Sequence, residues 1–149
     1  MKRIAIVVAS FLVAGALVVP MAGSAAAGGD TRVYLGETAD GGVVRFRITK
    51  TDTGREIRGF LLKTVLDCDD GTTKPLRAQL TVWGWTFEGR TAIVDENRPQ
   101  EWGLRIEGTF RPLSAFGTLR YTWAHLQDDH TVLLCTTGDV AWTADRVIS

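Results

Sequence analysis

After Ala27 no segment of the chain repeats its apolar residues with a helical period; they recur instead at every second position. In 43–49, Val44, Phe46 and Ile48 fall on one side and Arg45, Arg47 and Thr49 on the other. Over 102–111, Trp102, Leu104, Ile106 and Phe110 oppose Arg105, Glu107, Thr109 and Arg111, and over 117–124, Leu119, Tyr121 and Trp123 oppose Thr118, Arg120 and Thr122. A period of two marks a pleated strand with one buried and one wet face, the signature of an antiparallel sheet. The spacing predicts strands near Arg32–Leu35, Val43–Thr49, Glu56–Leu66, Leu80–Phe87, Thr91–Val94, Trp102–Phe110, Gly117–Ala124, Thr131–Cys135 and Val140–Val147.

Turn chemistry separates these runs: Asp40-Gly41-Gly42, Thr53-Gly54, Asp70-Gly71, Glu88-Gly89, Asp128-Asp129 and Gly138-Asp139. Such pairs supply residues that tolerate positive φ and side chains that bond the local backbone. The expected fold is all-β, an antiparallel β-sandwich of about eight or nine short strands with one disulfide, with a closed β-barrel as the alternative.

The first residues read differently. Lys2 and Arg3 precede an apolar run from Ile4 to Val19 that closes at Pro20, and small residues follow through Ala25-Ala26-Ala27. Basic, apolar and small-residue regions in that order predict a secretory signal peptide over 1–27, cleaved after Ala27 or Ala26, and a single domain over 28–149. The run is short for a membrane span and holds Ser10 and Gly15, so no membrane association is expected after cleavage. No cysteine follows it to carry a lipid, and no twin-arginine pair is present, which favours general secretion.

The chain has 17 basic and 17 acidic residues, and losing Lys2 and Arg3 leaves it slightly acidic. A protein so near neutrality has no global field to gather nucleic acid or anionic lipid. Export changes the reading of Cys68 and Cys135, the two cysteines of the chain. In an oxidising compartment an even pair most simply forms one disulfide, worth roughly 4 kcal/mol on the chain-entropy relation. A zinc or redox site lacks a Cys-x-x-Cys, and only His125 and His130 stand by to help bind metal. No metal and no cofactor are expected.

Several short segments together carry a resemblance: Tyr34-Leu35-Gly36-Glu37-Thr38, Val44-Arg45-Phe46-Arg47-Ile48, Cys68-Asp69-Asp70-Gly71, Gly108-Thr109-Phe110, Ala115-Phe116-Gly117-Thr118-Leu119-Arg120, Cys135-Thr136-Thr137-Gly138 and Trp142-Thr143-Ala144-Asp145-Arg146. In these the chain resembles small secreted actinobacterial all-β proteins of uncharacterised function. It departs from them at Trp83-Gly84-Trp85 and in the Asp95–Trp102 loop. The resemblance implies a β-sandwich with one bridge between the two cysteines, and no activity.

Among candidate sites, Trp83, Trp85 and Phe87 stand two apart, which places three rings on one strand face; exposed, they form a stacking platform for sugar rings, and buried, they fill the core. The polar loop Asp95-Glu96-Asn97-Arg98-Pro99-Gln100-Glu101 ends at Trp102. Its carboxylates suit calcium, or glycoside hydrolysis if two of Asp95, Glu96, Glu101 and Glu107 face each other, and Arg98 suits a protease-inhibitor loop, although Pro99 follows it. A solvated hairpin connection is the simpler reading. Asp67, Asp69 and Asp70 lack the order of an EF-hand loop and read as a capped turn beside the disulfide. The exported part offers Ser114 and Ser149 as its serines and no Gly-x-Ser-x-Gly elbow, which argues against serine catalysis. Arg45, Arg47, Arg105 and Arg120 are expected to pair with acids such as Glu107. The sequence thus points to a secreted, non-enzymatic, monomeric domain that binds an extracellular polysaccharide or protein through Trp83, Trp85, Phe87 and Trp102. A carboxylate-dependent hydrolase and a secreted protease inhibitor are the alternatives.

Overall fold

A computed structural model describes residues 30–81, 84–98 and 101–148. The expected signal segment and its cleavage site lie outside these residues. The described chain is all-β and antiparallel, without a helix: β1 (Thr31–Thr38), β2 (Val43–Thr51), β3 (Gly54–Cys68), β4 (Thr73–Leu80), β5 (Trp85–Phe87), β6 (Thr91–Arg98), β7 (Trp102–Phe110), β8 (Ser114–Leu126), β9 (Val132–Thr136) and β10 (Val140–Arg146).

The ten strands belong to one sheet. Its path runs β10-β1-β2-β3-β9-β8-β7-β6, with β4 and β5 both added to β3 and a further pairing of β10 with β8. The expected sandwich is therefore made by one sheet curling on itself, and its pairings close into a ring. The ring is not an even barrel. The strands β3 and β8 outrun any single partner: β8 pairs with β10 over Ser114–Leu119 and with β9 over Thr122–Leu126, while β3 meets β9 at two positions only, Asp67↔Thr136 and Cys68↔Cys135. The cysteines are direct register partners and form the disulfide.

The inward residues of the two halves meet as one core. Phe46 on β2 packs its ring edge-on to Phe110 on β7 at 5.3 Å, and Trp142 on β10 lies 4.6 Å from Phe46 and 5.9 Å from Phe110. Each of these aromatic rings removes a large apolar area from water. Close packing there depends on small residues. A Cβ on Gly108 would stand 2.5 Å from the Trp142 ring, and one on Gly36 would stand 1.9 Å from the Thr143 carbonyl oxygen.

The predicted strand Leu80–Phe87 is two strands. The strand β4 ends at Leu80, and β5 begins at Trp85 with a new parity, so Leu80, Trp85 and Phe87 all contact the core instead of dividing between faces. Thr73–Leu80 was not foreseen as a strand; it is an edge, paired with β3 alone, and its Lys74, Pro75, Arg77 and Gln79 are exposed. Lys and Pro are the usual guards of an open edge.

Candidate functional site

Burial of the inward face fades toward one end of β6, β7 and β8. Along β8, Leu119 and Tyr121 are buried, Trp123 is half-buried and His125 is exposed. Along β7, Phe110 through Leu104 gives way to half-buried Trp102, and along β6, Ala92 and Val94 give way to half-buried Glu96 and Arg98. Strand register gathers these residues: Arg98 stands opposite Trp102, Trp102 opposite Trp123, and Trp123 opposite Cys135. From β5, Trp85 reaches the same group, since its Nε1–H donates to Glu96 Oε1 at 3.0 Å. Three of the five tryptophans, Trp85, Trp102 and Trp123, thus lie against the core without being covered by it.

The rings are ordered by one another. Trp102 lies parallel to Tyr121, the two planes 1° apart and the centroids 6.3 Å apart; Trp123 stacks on His125 at 5.0 Å; Trp85 meets Phe60 edge-on at 6.5 Å. The Arg98 guanidinium carbon sits 5.6 Å from the Trp102 ring, within the range of a cation–π contact. Burial raises the Tyr121 pKa, so its phenol stays protonated at neutral pH. The result is an aromatic surface carrying a carboxylate and a guanidinium over the buried Tyr121, the mixture of flat apolar faces and polar anchors that binding sites for ring-shaped polar ligands use.

The residues singled out in the sequence are dispersed. Trp83 lies outside the described residues. The ring of Phe87 is buried and packs 5.6 Å from Phe110, so it presents no face to solvent. Trp85 and Trp102 reach the aromatic end by different routes, one from β5 and one from β7. Neighbours on a strand point to opposite faces, and so Asp95 is on the outer face opposite Arg105 while Glu96 turns inward. Glu107 takes its hydrogen bonds from Arg105. Glu101 sits on the β6–β7 connection and is exposed. Asp95 and Glu96, adjacent on β6, line one shallow pocket with Arg105 and Arg120, while Glu107 lines another with Asp139.

Asp70 accepts from the Thr72 N–H and hydroxyl, and Asp69 accepts from the Leu134 N–H, which makes this acidic run a capped turn tied to β9. Arg120 pairs with Asp139 and Arg105 with Glu107, whereas Arg45 and Arg47 make no ion pair among the described residues. Among the described residues no three His, Cys, Asp or Glu side chains are grouped to hold a metal ion.

Trp123 and Tyr121 complete the aromatic end and were not assigned to a site from the sequence, while Arg98, weighed there as the residue of an inhibitor loop, lies on Trp102 instead. The signal for both tyrosine and tryptophan was present: Leu119, Tyr121 and Trp123 share a parity, but parity does not tell where along a strand the covering layer stops. Among the described residues no helix is long and apolar enough to cross a membrane. No protein-family model matches the chain, and no curated protein or solved structure shows significant similarity to it.

Proposed function

We propose that this chain is an exported, monomeric, non-enzymatic domain that binds an extracellular polysaccharide at the aromatic end formed by Trp85, Trp102, Tyr121 and Trp123. The observation that carries the reading is the set of three half-buried tryptophans on one end of the inward face, held by Glu96 and Arg98. Single tryptophans are seldom covered completely even in a core, and it is the gathering of three at one end of one face, each with part of its ring in water, that suits the stacking of sugar rings. The signal-like start of the chain, the Cys68–Cys135 bridge and the resemblance to small secreted proteins support export. Glu96 and Glu107 already accept hydrogen bonds from Trp85 and Arg105, which favours binding over hydrolysis, and an Arg98 laid on Trp102 favours a positioning role over a projecting inhibitor residue.

Retention on immobilised envelope polysaccharides, followed by titration with the retained glycan and tryptophan fluorescence, tests this. Wild-type protein should be retained, and Trp102→Ala and Trp85→Ala should each weaken binding by about tenfold or more, as central aromatic contacts do. Failure of the wild type to bind any wall polysaccharide, or equal binding by both variants, refutes the proposal.

A further inference from the structure

A second concave surface, lined mainly from β1, β2 and β3, is basic. A cleft of about 370 Å³ is lined by Asp30, Arg32, Tyr34, Ile48, Lys50 and Arg55, with Gly54 and Gly89 at its margin. Its ionisable walls carry three cations and one carboxylate. Register explains the grouping: Lys50 and Arg55 are direct partners across β2 and β3, like charges placed side by side at some cost to the sheet. Arg32 comes from β1, which pairs with the other edge of β2.

The single acid does not neutralise the site. Arg32 donates through Nε and Nη2 to Asp30 Oδ2 at 3.1 and 2.7 Å, which accounts for one cation. Arg55 makes only a long hydrogen bond, 3.4 Å, to the Phe110 carbonyl, and Lys50 makes no ion pair among the described residues. Asp30 reports the surrounding field: its carboxyl is held below the usual range first by the Arg32 hydrogen bond, and further by the charges of Arg32, Arg146 and Lys50. Asp52 and Glu88, the acids of the adjoining turns, are exposed and do not line the cleft. The floor is rigid, because Tyr34 is buried and its hydroxyl donates to the Arg111 carbonyl at 2.8 Å. The margin at Gly89 is open, with nothing within 4 Å of where a Cβ would stand.

We infer that this cleft binds an oxyanion, a phosphate or carboxylate group, seated between the Lys50 ammonium and the Arg55 guanidinium with Arg32 beside it. Two cations whose charges are not matched by acids, fixed on paired strands over a rigid floor, supply charge-assisted donors of the kind oxyanions take. The inference stands apart from the aromatic end and does not depend on what binds there.

The probes are inorganic phosphate and oligogalacturonate, each titrated into the purified protein at low ionic strength while the Gly54 and Gly89 amide resonances are followed by NMR. At least one should give saturable shifts at these glycines that weaken as salt is added. Phosphate alone identifies a free small anion as the ligand, and oligogalacturonate alone identifies a charged polymer. Lys50→Gln and Arg55→Gln should each weaken binding by about tenfold, the loss expected for one charge-assisted contact, while Arg47→Gln on the outer sheet face should leave it unchanged. Shifts with neither probe, or binding undiminished in the Lys50→Gln/Arg55→Gln double variant, overturn the inference.

Discussion

Breaking the Cys68–Cys135 bridge should cost the fold about 4 kcal/mol. The cysteines are separated by 67 residues. For a loop of that size the chain-entropy relation gives about 15 cal/mol/K, hence about 4 kcal/mol at 25 °C, a large part of the roughly 5–15 kcal/mol that holds a domain together. The register adds a local reason for the effect. The ladder between β3 and β9 consists of two residue pairs, one of them the cysteines themselves, with Asp69 and Leu134 bonded to each other just beyond. No long run of backbone hydrogen bonds substitutes for the bridge at this junction. Urea unfolding of the wild type with and without reductant, followed by tryptophan fluorescence, measures the loss without changing any side chain. With a slope of about 1–3 kcal/mol/M the midpoint should fall by roughly 2 M. The Cys68→Ala/Cys135→Ala variant should fall somewhat further, because both sulfurs are buried and alanine leaves space behind. Amide exchange at Leu134 should accelerate before that of the Phe46 region as reductant is added. A reduced protein within about 1 kcal/mol of the oxidised one refutes the reasoning, since the denatured chain would then be gaining no freedom from the cut.

Three further outcomes follow from the packing and the hydrogen bonds. Gly117→Ala should destabilise by about 3 kcal/mol or more in thermal melts, because its Cβ would lie 1.9 Å from the Glu107 carbonyl oxygen, whereas Gly103→Ala should cost less, since its obstacle at 2.6 Å is the movable Thr122 hydroxyl. Trp142 is buried and its Nε1–H has no partner among the described residues, so Trp142→Phe, which removes that donor and keeps most of the ring, should cost under about 2 kcal/mol in the same melts, while Trp142→Ala costs about 3–5 kcal/mol. At Asp40 burial acts to raise the pKa, but hydrogen bonds from the Thr38 and Thr64 hydroxyls and the Gly42 N–H outweigh it and hold the carboxyl below its ordinary value. A depressed folded pKa contributes stability above the unfolded value of about 3.9 and loses it as pH falls through the folded value, so Asp40→Asn should flatten the acid limb of urea midpoint against pH.

The strands with one wet face were readable because alternation is a local property. Val44, Phe46 and Ile48 are buried and Arg45 and Arg47 exposed, as their spacing requires. The edge strand β4 escaped because its alternation is written in weak letters: of its inward residues Ala78 is buried and Leu76 and Leu80 only partly, and Pro75 breaks a pattern that would otherwise read as sheet. The parity change between Leu80 and Trp85 was also invisible, since spacing alone cannot show that a strand stops and restarts. Trp85 and Phe87 do share one face of β5, as a spacing of two requires, but Phe87 is covered by Phe110 while Trp85 remains half-buried, a difference in covering that spacing does not encode.

Long strands that change partners explain why one sheet offers two dissimilar ends. At the switch in β8 the chain between β9 and β10 returns to bond it, Thr137 N–H to the Tyr121 carbonyl and the Tyr121 N–H to the Thr137 hydroxyl. Beyond that point β8 has left β10 behind, the Phe46–Phe110–Trp142 cluster no longer lies across from it, and Trp123 and His125 emerge into water. Half-burial of Trp102 and Trp123 is thus a consequence of strand length, not of local composition. At the other end β1, β2 and β3 terminate together, and their last inward positions, Arg32, Lys50 and Arg55, carry charge because no layer remains to cover them. The same geometric event, the loss of a covering layer, exposes rings where strands run on and cations where they stop, and a ligand that engaged both ends would have to span the full length of the core.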